Sequence, residues 1–190
     1  MNLIKKVKIQ SIDLGVPLIR DDMAEFLRTQ IKEHKPQHIL EIGTGIGYSA
    51  IVMASAMNET GFDYELITVE KNEERAKHAA GNFCGYSHKY DIKLVVGDAK
   101  DFLKSAIEKK WVFDFIFLDG PKAQYVNYLE DIVTLMSSGG ILVADNIYCK
   151  ANPKLAEKLK KFVEAAKAHK DLKDVRIENI ADGVLIATKK

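Results

Sequence analysis

Cysteine is scarce in this sequence. Cys84 and Cys149 lie far apart and neither belongs to a CxxC pair, which argues against a zinc knuckle, a thioredoxin-type site or a disulfide scaffold and fits a reducing cytoplasm. An excess of either charge is also lacking: 28 Lys and Arg stand against 27 Asp and Glu, a net charge of +1. Such a balance carries no global signature of a nucleic-acid or membrane binder, although a local basic patch is compatible with it. No apolar run approaches the length of a membrane span, and the N-terminus, with Lys5, Lys6 and Lys8, holds no signal-peptide core. The expectation is a soluble, unprocessed, cytoplasmic protein with no membrane partner. Internal repeats and low-complexity segments are absent, and glycine and proline mark turns rather than a linker. Histidine offers no metal cage, because His34, His38, His78, His88 and His169 show no ligand spacing.

What the chain does have is a 47% hydrophobic content over 190 residues, enough for one domain with a sizeable core and short for two. Apolar runs of strand length at 39–42, 66–69, 92–96, 113–118 and 141–144 alternate with helical patterns at 49–57, 73–83, 99–109 and 125–136. Continuously apolar strands between helices mean a parallel sheet covered on both faces. After a last helix at 154–168 the rhythm changes: runs at 175–180 and 184–188 flank Ala181-Asp182-Gly183, the pattern of a hairpin. The expected fold class is therefore α/β, a doubly wound, mostly parallel seven-stranded sheet with an antiparallel C-terminal hairpin strand. Residues 1–190 are expected to form one domain, in which 1–36, with a helix from Asp21 to about Lys35 ended by Pro36, cap a core at 37–190.

The first core strand runs into Gly43-Thr44-Gly45-Ile46-Gly47 and then a helix, the place where an α/β sheet binds nucleotides. Glycines permit a tight turn and close approach of a ligand to the backbone, although so short a pattern also suits a turn with no ligand. Two details narrow it. The spacing is G-x-G-x-G rather than G-x-G-x-x-G, and Glu41 precedes the first glycine by two residues; a carboxylate there repels a pyrophosphate but can engage the ammonium of an amino-acid moiety. Glu70 ends the next strand, where a carboxylate can accept both hydroxyls of a ribose. S-adenosylmethionine (SAM), with a ribose, a cationic amino-acid tail and no pyrophosphate, suits this arrangement. The stretch EIGTGIGYS at 41–49, Glu70, and Gly97-Asp98-Ala99 after the third strand resemble the successive cofactor motifs of class I SAM-dependent methyltransferases. That resemblance implies Gly43 and Gly45 beside the methionine portion, Glu70 on the ribose and Asp98 with Ala99 at the adenine. Glu41, Gly47, Ser49 and Asp119 complete the implied cofactor set. Asp98 taken alone also suits a helix N-cap.

The fourth strand ends in Leu118-Asp119-Gly120-Pro121-Lys122 and the fifth in Ala144-Asp145-Asn146. Neighbouring strands in this fold bring such ends together. Two carboxylates and an amide oxygen form a hard ligand set, suited to Mg²⁺, Mn²⁺ or Ca²⁺, with positions left for water and a bidentate substrate. Singly, Asp119 also suits a helix cap and Asp145-Asn146 a turn. Asp119-x-x-Lys122-x-x-Tyr125 together with Asp145-Asn146 resembles the metal and base signature of the catechol O-methyltransferase family, and the likeness runs from about Val16 to Lys189. It implies Asp119, Asp145 and Asn146 as metal ligands, Lys122 as general base, and methyl transfer from SAM to a hydroxyl. A divalent cation makes a coordinated hydroxyl more acidic and orients it. Cys149 follows this loop, but a soft thiolate is a poor ligand for a hard cation.

Chelation selects an acceptor with two adjacent oxygens: a catechol or caffeoyl group, or 5-hydroxyuridine, whose 5-hydroxyl lies beside the 4-carbonyl. Gly15-Val16-Pro17-Leu18-Ile19 and the ending from Asp182 to Lys190 resemble a small bacterial branch associated with methylating 5-hydroxyuridine at the wobble position of tRNA. The resemblance makes tRNA the favoured partner and a small vicinal-oxygen molecule the alternative. A compact segment between Asn146 and Pro153 leaves the site open, and Lys122, Lys150, Lys154, Lys5, Lys6, Lys8, Arg20 and Arg28 are candidate phosphate contacts. Solvated lysines are the ordinary alternative. An NAD-dependent oxidoreductase, the competing class, is disfavoured by the early third glycine and the hairpin. A non-catalytic module is disfavoured by the complete set of Asp119, Lys122, Asp145 and Asn146. A homodimer is compatible with the sequence.

Overall fold

The computed structural model describes residues 3–84 and 91–190, and His88 lies outside them. The elements run α1 (Leu3–Asp13), α2 (Asp21–His34), β1 (His38–Ile42), α3 (Tyr48–Thr60), β2 (Glu65–Glu70), α4 (Glu73–Cys84), β3 (Ile92–Val96), α5 (Ala99–Glu108) and β4 (Phe113–Leu118). A 3-10 turn (Lys122–Gln124) then leads into α6 (Tyr125–Leu135), β5 (Met136–Ala144), α7 (Pro153–Ala168), β6 (Leu172–Glu178) and β7 (Val184–Lys189). The strands form a seven-stranded sheet in the order β3-β2-β1-β4-β5-β7-β6. β1 with β2, β2 with β3 and β4 with β5 are parallel, while β7 is antiparallel to both β5 and β6. The fold class is the one expected, and the contacts divide the chain into two compact units, Met1–Asp98 and Ala99–Lys190.

In the first unit β1 and β2 are buried along almost their whole length, as continuously apolar strands should be. β3 is not: it stands at the sheet edge, none of its residues is fully buried, and Val96 is 54% exposed. α3 is buried on nearly all sides, and α2 buries the stripe Met23, Leu27, Ile31 before Lys35 ends it in a left-handed conformation, its N–H on the Ile31 carbonyl. α1 lies outside the sequence expectation. Its buried stripe of Leu3, Val7 and Ser11 has helical spacing, but the serine and three intervening lysines conceal it. Ser11 ties α1 to the following loop, its hydroxyl donating to the Val16 carbonyl at 2.9 Å.

In the second unit β4, the last part of β5 and the first part of β7 are buried. β5 begins five residues ahead of its apolar run, because Ser137-Ser138-Gly139-Gly140 reads as a turn yet continues the strand through a register irregularity opposite Phe113–Phe115. α7 starts at Pro153, and the Asn152 side chain caps it by accepting the Leu155 N–H at 3.1 Å. Among the described residues no helix is long and apolar enough to cross a membrane.

Candidate active site

The glycine loop after β1 is built on buried polar contacts within the first unit. Gly43 and Thr44 donate their N–H groups to the Val69 carbonyl at the end of β2. Beneath them Thr68 donates its hydroxyl to Glu41 Oε2 at 2.5 Å and Ser49 donates to Glu41 Oε1. Because the Thr68 proton is committed to Glu41, the 2.6 Å contact between the Thr44 and Thr68 hydroxyls has Thr44 as donor. Glu41 is 0% exposed. Its carboxylate is held within the fold by the Thr68 and Ser49 hydroxyls, and through Ser49 it is tied to the start of α3. Glu70, 8% exposed, accepts the Gly45 N–H through Oε2 and the Asn72 N–H through Oε1, both at 2.8 Å. A carboxylate has about four lone-pair sites, so it keeps acceptor capacity for hydroxyls. Asp98 accepts from Lys71 Nζ at 2.8 Å, and Ala99 opens α5.

Two residues that the sequence reading did not single out hold this loop from α4. Asn82, buried, donates its amide to the Ile46 carbonyl at 3.0 Å. Phe83 lies so close to Gly47 (φ +92°) that a Cβ there would sit 2.5 Å from the ring. Gly47 is thus required both by its conformation and by its neighbour. Asn-Phe near a helix end carries no motif by itself, so only the fold reveals this clamp.

In the second unit the ends of β4 and β5 are joined. The Asp145 N–H donates to the Leu118 carbonyl at 3.0 Å, and the buried Tyr125 hydroxyl lies 3.0 Å from the Leu118 carbonyl and 3.2 Å from that of Asp145. Asp119 follows Leu118 directly, and its carboxylate meets Lys122 Nζ at 2.5 Å. Asn146 has a left-handed backbone (φ +53°), and its N–H donates to Asp145 Oδ1 at 2.7 Å. Beyond it the chain is pinned to the hairpin turn: Ile147 N–H donates to the Gly183 carbonyl at 3.0 Å and Tyr148 N–H to that of Asp182 at 2.9 Å. At Gly183 (φ +83°) a Cβ would sit 2.4 Å from the Tyr148 ring.

The electrostatics of these residues are unbalanced. Burial pushes the Asp119 carboxyl above its ordinary range, against the pull of Lys122. Asp145 is pushed up to about 6, by burial first and by the Asp119 carboxylate second, with Asp182 adding to it and the Asn146 N–H and Lys122 opposing. Burial, then Asp119 and Asp145, also push the Tyr125 phenol well above its usual range, so it stays a donor. Two carboxylates burdened in this way, beside an amide, suit a divalent cation in donor type and in charge. Among the described residues no three His, Cys, Asp or Glu side chains assemble as a metal cage, so such a site depends on Asn146 as its third donor.

An O-methyltransferase family profile matches residues 2–190. The chain belongs to the O-methyltransferase family. It is 32% identical over 138 residues to a catechol O-methyltransferase of Niastella koreensis, covering 71% of this chain and 61% of that protein. To the catechol O-methyltransferase of Sus scrofa it is 30% identical over 136 residues, covering 68% and 70% of the two chains. The O-methyltransferase of Bacillus cereus, solved in complex with SAH, shares the fold at a TM-score of 0.85 and 24% identity, covering 99% of this chain and 90% of that one. The match to the Niastella relative spans less than two thirds of its length.

Several of the basic residues expected to attract phosphate are engaged within this family member. Lys8 pairs with Asp21, Arg20 with Asp22, and Arg28 with Glu25 and Glu59. Lys150 and Lys154 are exposed beside the segment that follows Asn146.

Proposed function

We propose that this chain is a SAM- and divalent-metal-dependent O-methyltransferase acting on a hydroxyl beside a second chelating oxygen, with 5-hydroxyuridine in tRNA as the favoured acceptor. The observation that carries the reading is the crowding of Asp119 and Asp145 next to Asn146 and Lys122. Burying two carboxylates so close costs free energy that a bound cation offsets. Glu70 holds the ribose hydroxyls of the cofactor, and Ser49, oriented by Glu41, faces its amino-acid tail. Asp119, Asp145 and Asn146 hold the metal, which when bound supplies Lewis-acid polarisation of the acceptor hydroxyl. Lys122, set by Asp119, would act as base only as the neutral amine, its own proton having gone to solvent; it would then take the hydroxyl proton at its Nζ, so that the acceptor oxygen bonds to the methyl carbon as the sulfonium C–S bond breaks and the thioether leaves. Lys150 and Lys154 are suited to phosphates of an RNA loop. A small catechol is the second reading, favoured by the similarity to catechol O-methyltransferases. The family membership leaves the oxidoreductase reading without support.

The deciding experiment gives the enzyme labelled SAM together with tRNA from cells lacking this gene, or with free catechol. Methylation of tRNA is expected to stop with chelator and return with Mg²⁺ or Mn²⁺. It should weaken as salt rises, through loss of phosphate contacts, whereas transfer to a neutral catechol should depend far less on salt. Neutralising Lys150 and Lys154 together should impair tRNA methylation selectively. Efficient catechol turnover with unmethylated 5-hydroxyuridine would replace tRNA by the small-molecule acceptor, and full activity after exhaustive chelation would remove the metal.

A further inference from the structure

We infer that Tyr125 is a positioning residue that holds the metal ligands and the general base of the proposed reaction in one arrangement, and the inference rests on that proposed function. Three contacts converge on this one side chain. Its hydroxyl lies 3.0 Å from the Leu118 carbonyl and 3.2 Å from the Asp145 carbonyl. One O–H proton is thereby shared between the last residue of β4, which directly precedes Asp119, and Asp145 itself. Its ring carries the third contact: Lys122 Nζ stands 5.9 Å from the ring centroid, a separation at which an ammonium is attracted to an aromatic face.

The surroundings leave Tyr125 little freedom. It is 0% exposed, and Phe162 of α7 meets its ring edge-on at 5.4 Å and 69°. It is also the first residue of α6, directly after the 3-10 turn that starts at Lys122. Lys122 and Tyr125 are therefore one turn apart on a continuous stretch of backbone, and the phenol fixes that stretch to both strand ends. A buried tyrosine kept for packing alone needs one acceptor for its hydroxyl. This one meets two, each at the base of a candidate ligand.

The two functions of the side chain separate by mutation. Tyr125→Phe keeps the ring, the contact with Phe162 and the seat of Lys122, and removes the hydroxyl between the strands. Tyr125→Leu removes the aromatic face as well. Phe162→Leu disturbs the same packing without touching the hydroxyl, and SAM binding reports that each variant is folded. With the full chain and Mn²⁺ as the probe, Tyr125→Phe should weaken Mn²⁺ about 10- to 100-fold, the usual cost of losing a group that orients metal ligands. SAM affinity should stay within about twofold of wild type, because that interaction does not involve Tyr125, and Phe162→Leu should leave Mn²⁺ affinity unchanged. Tyr125→Leu should further lower kcat and move its pH profile, since Lys122 loses its seat. Unchanged Mn²⁺ affinity in folded Tyr125→Phe overturns the inference while leaving the proposed function standing. Equal loss in Phe162→Leu, or parallel loss of SAM and Mn²⁺ affinity with stability, reduces Tyr125 to a packing residue and overturns it too. Wild-type protein that binds no Mn²⁺ overturns the metal reading and this inference together.

Discussion

The two compact units treat buried charge in opposite ways. In the first, each carboxylate near the glycine loop has donors: Glu41 takes two hydroxyl protons and Glu70 two backbone N–H groups. In the second, burial raises the cost of ionising both Asp119 and Asp145, the Asp119 carboxylate adds to that of Asp145, and a lysine and one backbone N–H only partly compensate. The first is preorganised and holds its shape without a ligand. The second gains most from a ligand that brings positive charge. Hydrogen-bonded anions build a receptacle, whereas crowded anions build an affinity for cations.

The sharpest break in that contrast is Asp145→Asn. Mn²⁺ affinity should fall by about 100-fold, because the proposed ligand keeps an oxygen but loses its negative charge. The ligand-free protein should at the same time become more stable near neutral pH. Asp145 binds its proton more tightly in the folded state, about 6 against an ordinary 3.8. Stability is therefore lost as pH rises from about 4 through about 6 and stays lost above. Removing the carboxylate should return on the order of 1–3 kcal/mol near neutrality and little near pH 4, as denaturant titrations at the two pH values would read. A variant no more stable at neutral pH would show that Asp145 is not strained, and in wild type Mn²⁺ binding should weaken as pH falls through about 6.

Glu70→Ala tests the other unit. Losing the acceptor of the Gly45 and Asn72 N–H groups together with the ribose anchor should weaken SAM by about 1.5–3 kcal/mol in calorimetry. Unchanged SAM affinity in the folded variant would remove Glu70 from the cofactor site. The smallest effect belongs to the hairpin turn. Gly183→Ala, at φ +83° and against the Tyr148 ring, should cost about 1–3 kcal/mol in thermal melts. Adding Tyr148→Ala should recover most of the steric part, leaving the contact with Ile147 at 3.0 Å and the backbone part, about 1 kcal/mol.

Much of this was legible in the sequence because it is local. The Gly43–Gly47 turn, Glu70 at a strand end, Asp119-x-x-Lys122 and Asp145-Asn146 are short-range patterns whose chemistry does not depend on distant partners. For Glu41 the motif specifies residue type and not depth; only the packed sheet shows its carboxylate buried and accepting from Ser49 and Thr68. Asn82, Phe83 and Asp182 could not be read for the same reason. Each acts through a contact across a long sequence separation: Asn82 on Ile46, Phe83 on Gly47, Asp182 on Asp145. α1 escaped because its buried face is only three residues long and one of them is a serine.

Asn146 carries a left-handed backbone next to Asp145, whose carboxyl burial pushes up, and the proposed metal site also asks an oxygen of it. Few side chains meet both conditions. Glycine adopts that backbone freely but brings no oxygen, and serine, threonine and glutamine bring oxygen with a penalty in that conformation that asparagine largely escapes. Aspartate tolerates the backbone almost as well, yet would set a third negative charge where two already repel. The vocabulary of position 146 thus contracts to a single word, written jointly by a dihedral angle and a charge.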